Sequence, residues 1–151
     1  MNLTLSDEAA TRRLGHHLAG RVRPGDVIAL WGGLGTGKST LARAFIRALT
    51  TPDEEVPSPT FTLVQQYEGA AGLIWHFDLY RLDKPADALE LDIEEAFADG
   101  ISLIEWPDRL GRHLPGQRLD VALEPGDDEG ERRVIMTGHG SWAERMGDLA
   151  P

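Results

Sequence analysis

The residues that most restrict how this chain can fold are Gly32-Gly33-Leu34-Gly35-Thr36-Gly37-Lys38-Ser39. They fit the P-loop pattern, two glycines flanking four residues and then Lys and Ser or Thr. Glycine permits positive φ, so successive backbone N–H groups can turn into one concave, anion-binding nest. Val27-Ile28-Ala29-Leu30-Trp31, just before the motif, is a continuous apolar run of the kind that forms a strand buried on both faces. After the motif, Leu41, Ala44, Phe45 and Ala48 recur at helical spacing. Strand, glycine loop and helix in that order indicate an α/β layered fold and aim the positive end of a helix dipole at the loop. In this arrangement Gly35, Thr36 and Gly37 supply the nest, and Lys38 reaches the β- and γ-phosphates of a nucleotide. The Ser39 hydroxyl then holds Mg²⁺, and Thr40 adds a further phosphate contact.

The rest of the chain supplies the layers around that unit. Ser6-Asp7-Glu8 places a capping side chain and two acids at the start of a helix, Ala10, Leu14 and Leu18 recur every four residues, and Gly20 ends it. Three prolines between Pro52 and Pro59 mark a loop. Thr60–Tyr67 and Leu73–Phe77 read as two strands of a hairpin across Glu68–Gly72, and Pro85–Ala98 as one or two short acidic helices. Ile101–Ile104 is another short buried strand. Arg118–Leu123 and Arg132–Thr137 suggest a second hairpin around a flexible acidic tip, Glu124–Glu131, and Ser141 is expected to cap a short terminal helix over Ser141–Met146. The expected architecture is one P-loop NTPase-like domain over residues 1–151. Its central sheet is mixed, mostly parallel, flanked by helices and carrying β-hairpins.

A phosphate loop alone binds; hydrolysis or transfer needs acids that organise Mg²⁺ and the attacking group. Asp78 closes Leu73–Phe77 and Glu105 closes Ile101–Ile104, the strand ends where open α/β sheets place ligand-facing residues. Either carboxylate suits a hard cation, directly or through water, and spacing does not divide the roles between them. Pro57-Ser58-Pro59-Thr60-Phe61 fits either a rigid connector or a switch that senses the γ-phosphate.

Composition removes other classes. Lys plus Arg number 15 and Asp plus Glu 25, a formal charge of −10 over 151 residues, which argues against a surface that grips nucleic acid or anionic membrane by itself. With no cysteine there are no disulfides, thiolate metal sites or cysteine nucleophiles, and a reducing cytoplasm is expected. No apolar run approaches the roughly 20 residues of a membrane helix. The five histidines show no metal-ligand spacing, and His76, between Trp75 and Phe77, reads as structural. Arg12, Arg13, Arg21 and Arg23 form the one basic cluster near an end, as a solvated helix face does.

Four segments in order, Gly32–Thr40, Ser58-Pro59-Thr60-Phe61, His76-Phe77-Asp78-Leu79-Tyr80-Arg81 and Ile104-Glu105-Trp106-Pro107, resemble the TsaE (YjeE-like) ATPases of bacterial tRNA threonylcarbamoyladenosine biosynthesis. The resemblance covers essentially the whole chain. The family's loop commonly reads G-D-L-G-A-G-K-T-T, so Gly33, Thr36 and Ser39 are departures, Ser39 keeping the hydroxyl. The resemblance implies that ATP and Mg²⁺ are the cofactors, that Glu105 joins Ser39 on Mg²⁺, and that Asp78 at the phosphate end is needed for hydrolysis. It implies a switch centred on Thr60, and places Glu8, Asp108 and Arg133 near the nucleotide. It further implies an accessory ATPase that resets the TsaD–TsaB pair, the proteins that transfer threonylcarbamoyl to adenosine 37 of tRNA. Contact with tRNA would then run only through those partners.

The competing class is a small-molecule P-loop kinase, which wants an arginine-bearing lid. Arg109 and Arg112 are available, but no clear lid segment surrounds them. An Asn-Lys-x-Asp guanine motif and an ABC-type signature are both missing. A third class is a binding module whose nucleotide is a structural ligand.

Overall fold

The structure, a computed structural model, describes residues 1–59 and 61–149. Among these residues seven strands form one sheet: β1 (Asn2–Leu5), β2 (Val27–Trp31), β3 (Val64–Gly69), β4 (Gly72–Asp78), β5 (Ile101–Glu105), β6 (Arg118–Pro125) and β7 (Arg132–His139), in spatial order β1-β7-β6-β2-β5-β4-β3. The centre, β6-β2-β5-β4, is parallel, and antiparallel partners close both sides. This is the expected mixed sheet with two hairpins. β2 and β5, central in the sheet, are the most continuously apolar strands, and Ile28, Ala29, Leu30, Leu103 and Ile104 are fully buried.

Among the described residues four α-helices accompany the sheet: α1 (Glu8–Ala19), α2 (Lys38–Leu49), α3 (Ile93–Asp99) and α4 (Ser141–Arg145). The stripes Leu14, Leu18 of α1 and Leu41, Phe45, Ile46 of α2 meet Ile28, Leu30, Leu103 and Val121 on one sheet face. Trp75, Phe77, Ile93, Ala96, Ile104 and Leu110 make a separate core on the other face. Asp7 caps α1, its side chain accepting from the Ala10 amide at 2.8 Å. Where α1 crosses α2, a Cβ on Gly15 would stand 2.8 Å from the Leu41 carbonyl oxygen, so only glycine lets the two backbones approach this closely. No helix among the described residues is long and apolar enough to cross a membrane.

Three local expectations change, and a fourth is met in one of its two forms. The first hairpin begins at Val64 rather than residue 60, because Leu63 takes a positive φ of 67° and its amide donates to the Pro59 carbonyl, bending the chain. Of the one or two helices expected in the acidic stretch there are two, a 3₁₀ helix, Pro85–Leu91, and α3, with Asp92 left-handed (φ 61°) between them. Ser141 is the first residue of α4 instead of its cap; Gly140 holds the cap position. The tip of the second hairpin is tied rather than loose, since the Glu131 carboxylate accepts from the Asp127 amide and Asp127 pairs with Arg133. Strand β1 and the 3₁₀ turns of Pro107–His113, broken by a kink at Gly111 (φ 51°), were not expected.

Candidate nucleotide site

β2 ends at Trp31, and the chain turns at once through the glycine loop into α2. Gly32 (φ 142°), Gly35 (φ 74°) and Gly37 (φ 99°) take backbone conformations that side-chain-bearing residues avoid. At Gly32 space adds to φ: a Cβ would stand 2.5 Å from the Leu123 carbonyl oxygen and 2.7 Å from Thr36 Oγ1. The Thr36 hydroxyl donates to the Gly33 carbonyl at 2.9 Å and so staples the loop across itself. Gly33 has neither a positive φ nor a neighbour within 4 Å, so an acidic side chain at this position would meet no obstacle.

Parallel pairing brings the acids to the same end of the sheet. Asp78 and Glu105 are register partners on β4 and β5, and Leu30 of β2 is paired with Glu105 from the other side. Gly35, Thr36, Gly37, Lys38, Ser39, Thr40, Asp78 and Glu105 line one cleft of about 400 Å³, along with Leu34, Ser58, Tyr80, Arg81, Trp106 and Arg132. Lys38, Asp78 and Glu105 are all buried in its walls. The Tyr80 amide donates to Asp78 Oδ1 at 3.2 Å, and the Asp78 amide donates to the Leu63 carbonyl, tying that strand end to the segment after Pro59. Thr60 itself lies outside the described residues.

Lys38 turns back on its own loop. Its ammonium donates to the Gly32 carbonyl at 2.6 Å and lies 3.5 Å from the centre of the Trp106 ring. Burial holds its pKa below the ordinary lysine value, while Glu105, then Asp78 and Asp108, pull it upward. Trp106 is left-handed (φ 59°), which presents its ring to Lys38 and, 4.9 Å away, to Tyr80.

The remaining sequence candidates lie around the cleft. Asp108 lies in the first turn of the 3₁₀ helix that Pro107 opens after Trp106, outside the lining but close enough to act on Lys38. Glu8 pairs with Arg12 at 3.0 Å and lines a shallow depression of about 70 Å³ with Thr11, Gly37, Thr40, Gly130 and Arg132, on the other flank of Thr40. Arg133 points away to Asp127. Its neighbour Arg132 reaches the loop instead, donating to the Gly35 carbonyl at 3.2 Å. Strand alternation carried that signal, because Arg132 shares its face with the buried Val134 and Met136. Trp106, Tyr80 and Arg81 belong to recognised segments, but their roles in the lining depend on a left-handed residue and ring contacts that no spacing reveals.

Among the groups lining the cleft are the Ser39 hydroxyl and the carboxylates of Asp78 and Glu105, oxygen ligands suited to a hard cation. Among the described residues no cluster of three or more His, Cys, Asp or Glu could cage a metal alone. Mg²⁺ is usually held by one or two side chains plus phosphate oxygens and water. Ser39 and Glu105 fit such a role.

The family model for threonylcarbamoyl adenosine biosynthesis protein TsaE matches residues 5–134. This chain belongs to the TsaE family. The tRNA threonylcarbamoyladenosine biosynthesis protein TsaE of Rickettsia conorii is 36% identical over 136 residues, 90% of this chain and 78% of that protein. The Bacillus subtilis TsaE is 32% identical, covering 90% of this chain and 84% of its own length, and that of Aquifex aeolicus 38%, covering 86% and 90%. A crystal structure of Bacillus subtilis YdiB superposes with a TM-score of 0.79 at 27% identity, over 99% of this chain and 93% of that one. Membership places the chain among tRNA threonylcarbamoyladenosine biosynthesis proteins. The matched span contains the glycine loop, Asp78, Glu105 and Arg132.

Proposed function

We propose that this TsaE-family chain is a Mg²⁺-dependent ATPase that serves the TsaD–TsaB pair in making threonylcarbamoyladenosine at position 37 of tRNA, touching tRNA only through those partners. The observation that carries the reading is the meeting, in one cleft, of a positive-φ glycine loop at a helix N-terminus with Asp78 and Glu105 on adjacent strand ends. The loop amides and the α2 dipole receive the β- and γ-phosphates of ATP. Lys38 leaves the Gly32 carbonyl and the Trp106 ring to meet them, and Thr40 binds the next phosphate toward the nucleoside, on the side of Glu8. Ser39 and Glu105 hold Mg²⁺, which when bound neutralises charge on the phosphate oxygens. Asp78 orients the attacking water. Hydrogen bonds from Asp78 to Leu63, and from Leu63 to Pro59, couple the acid to the Ser58–Phe61 segment, which suits a switch that responds to the γ-phosphate.

Calorimetric titration with ATP and Mg²⁺ tests the site. Wild type is expected to bind and Lys38→Ala to bind at least tenfold more weakly, the loss of a charge-assisted contact worth about 1.5–3 kcal/mol. Equal affinities would remove the assignment.

A further inference from the structure

His76 lies two residues before Asp78 on β4 and therefore on the same strand face, beside Leu103 of β5. Its Nε2 is 2.7 Å from Glu105 Oε2, and the two side chains are 3% and 5% exposed. The second ring nitrogen, Nδ1, is buried without a hydrogen-bond partner among the described residues. An imidazole buried with one nitrogen unpaired is a costly way to fill core space, and an apolar side chain would fill it without that cost. What the imidazole adds is its bond to Glu105. With Oε2 engaged, the carboxylate has one orientation, and Oε1 is the oxygen left to serve the cleft that Glu105 lines. Outer partners of this kind commonly set the geometry of a metal-binding side chain.

We propose that His76 is a positioning residue, donating Nε2–H to Glu105 Oε2 and so aiming Oε1 at the Mg²⁺ that accompanies the nucleotide. The inference rests on the reading of Glu105 as a Mg²⁺ ligand. The test is titration of ADP into wild type, His76→Leu and His76→Gln over a series of Mg²⁺ concentrations, with thermal melts alongside. Without Mg²⁺ the three proteins bind ADP equally. The Mg²⁺ concentration giving half of the gain in affinity rises roughly tenfold in His76→Leu. In His76→Gln, whose side-chain amide can replace the Nε2–H donor, it stays near the wild-type value. Should His76→Leu fail to fold, His76→Asn, whose shorter amide falls short of Glu105, takes its place in the comparison. A folded His76→Leu or His76→Asn with the wild-type Mg²⁺ midpoint overturns the proposal and leaves His76 a packing residue. A wild type whose ADP affinity ignores Mg²⁺ overturns the reading of Glu105 itself, a result distinct from the first.

Discussion

Lys38 shows how a buried ammonium weighs on the fold. Its ammonium is buried against Gly32 and Trp106, and burial depresses its pKa, so the unfolded chain holds that proton more firmly than the folded one. Between the folded value and the ordinary 10.5 the unfolded state binds more protons, and the contribution of Lys38 to stability improves as pH rises through that window. Tyr67 opposes this, since burial and then Glu54 raise its pKa above 10.0, but it is common to wild type and a Lys38 variant. The stability of wild type relative to Lys38→Met should therefore increase from neutral to alkaline pH in urea denaturation of the nucleotide-free proteins. A pH-independent difference would show that the Lys38 charge is not felt by the fold. Residues of this kind were legible in the sequence when a motif fixed their place, as for Lys38, Asp78 and Glu105. They were missed where strand parity decided between neighbours: Arg132 and Arg133 are alike in charge, and the apolar Val134 and Met136, alternating with Arg132, are the signal for which one faces the loop.

Among the elements, the helix pair behind the glycine loop holds α2 in place, and its tolerance is set by one backbone approach. A side chain at Gly15 would press on the Leu41 carbonyl, the Ala44 Cβ and the Phe45 amide. Gly15→Val should cost about 1–3 kcal/mol by overpacking, and thermal denaturation should read that as a fall of about 2–4 °C per kcal/mol for a chain of this size. Gly20→Ala is the control, because Gly20 has an ordinary φ of −72° and a Cβ there meets nothing nearer than 3.5 Å. A Gly15→Val melt matching that of Gly20→Ala would mean the helices can separate freely. Periodicity made α1, α2, β2 and β5 readable, since each has an unbroken apolar pattern. β1 was missed because four residues carry too little alternation to stand out. The start of β3 was misplaced because the positive φ of Leu63 arises from the Pro59–Leu63 hydrogen bond rather than from composition.

At the scale of the whole molecule, a charge of −10 first served to exclude autonomous binding of nucleic acid. Within the TsaE family it acquires a second meaning, since an acidic chain working on a tRNA pathway can leave the RNA-binding surface to its partners. If those acids guide assembly, complex formation with TsaD–TsaB should weaken as salt rises, as measured by the association rate. A rate unchanged between low and high salt would confine the charge to solubility. The sheet order that joins β4, β5 and β2 explains why one cleft contains residues far apart in the chain, from Gly35 through Asp78 to Arg132. Phosphate release from ATP, followed for this chain alone and with TsaD–TsaB, tests the account most directly. Slow release that rises on adding the pair and disappears in Glu105→Gln is the expected result. No release under either condition, or stoichiometric transfer of the γ-phosphoryl to an added metabolite, would contradict it.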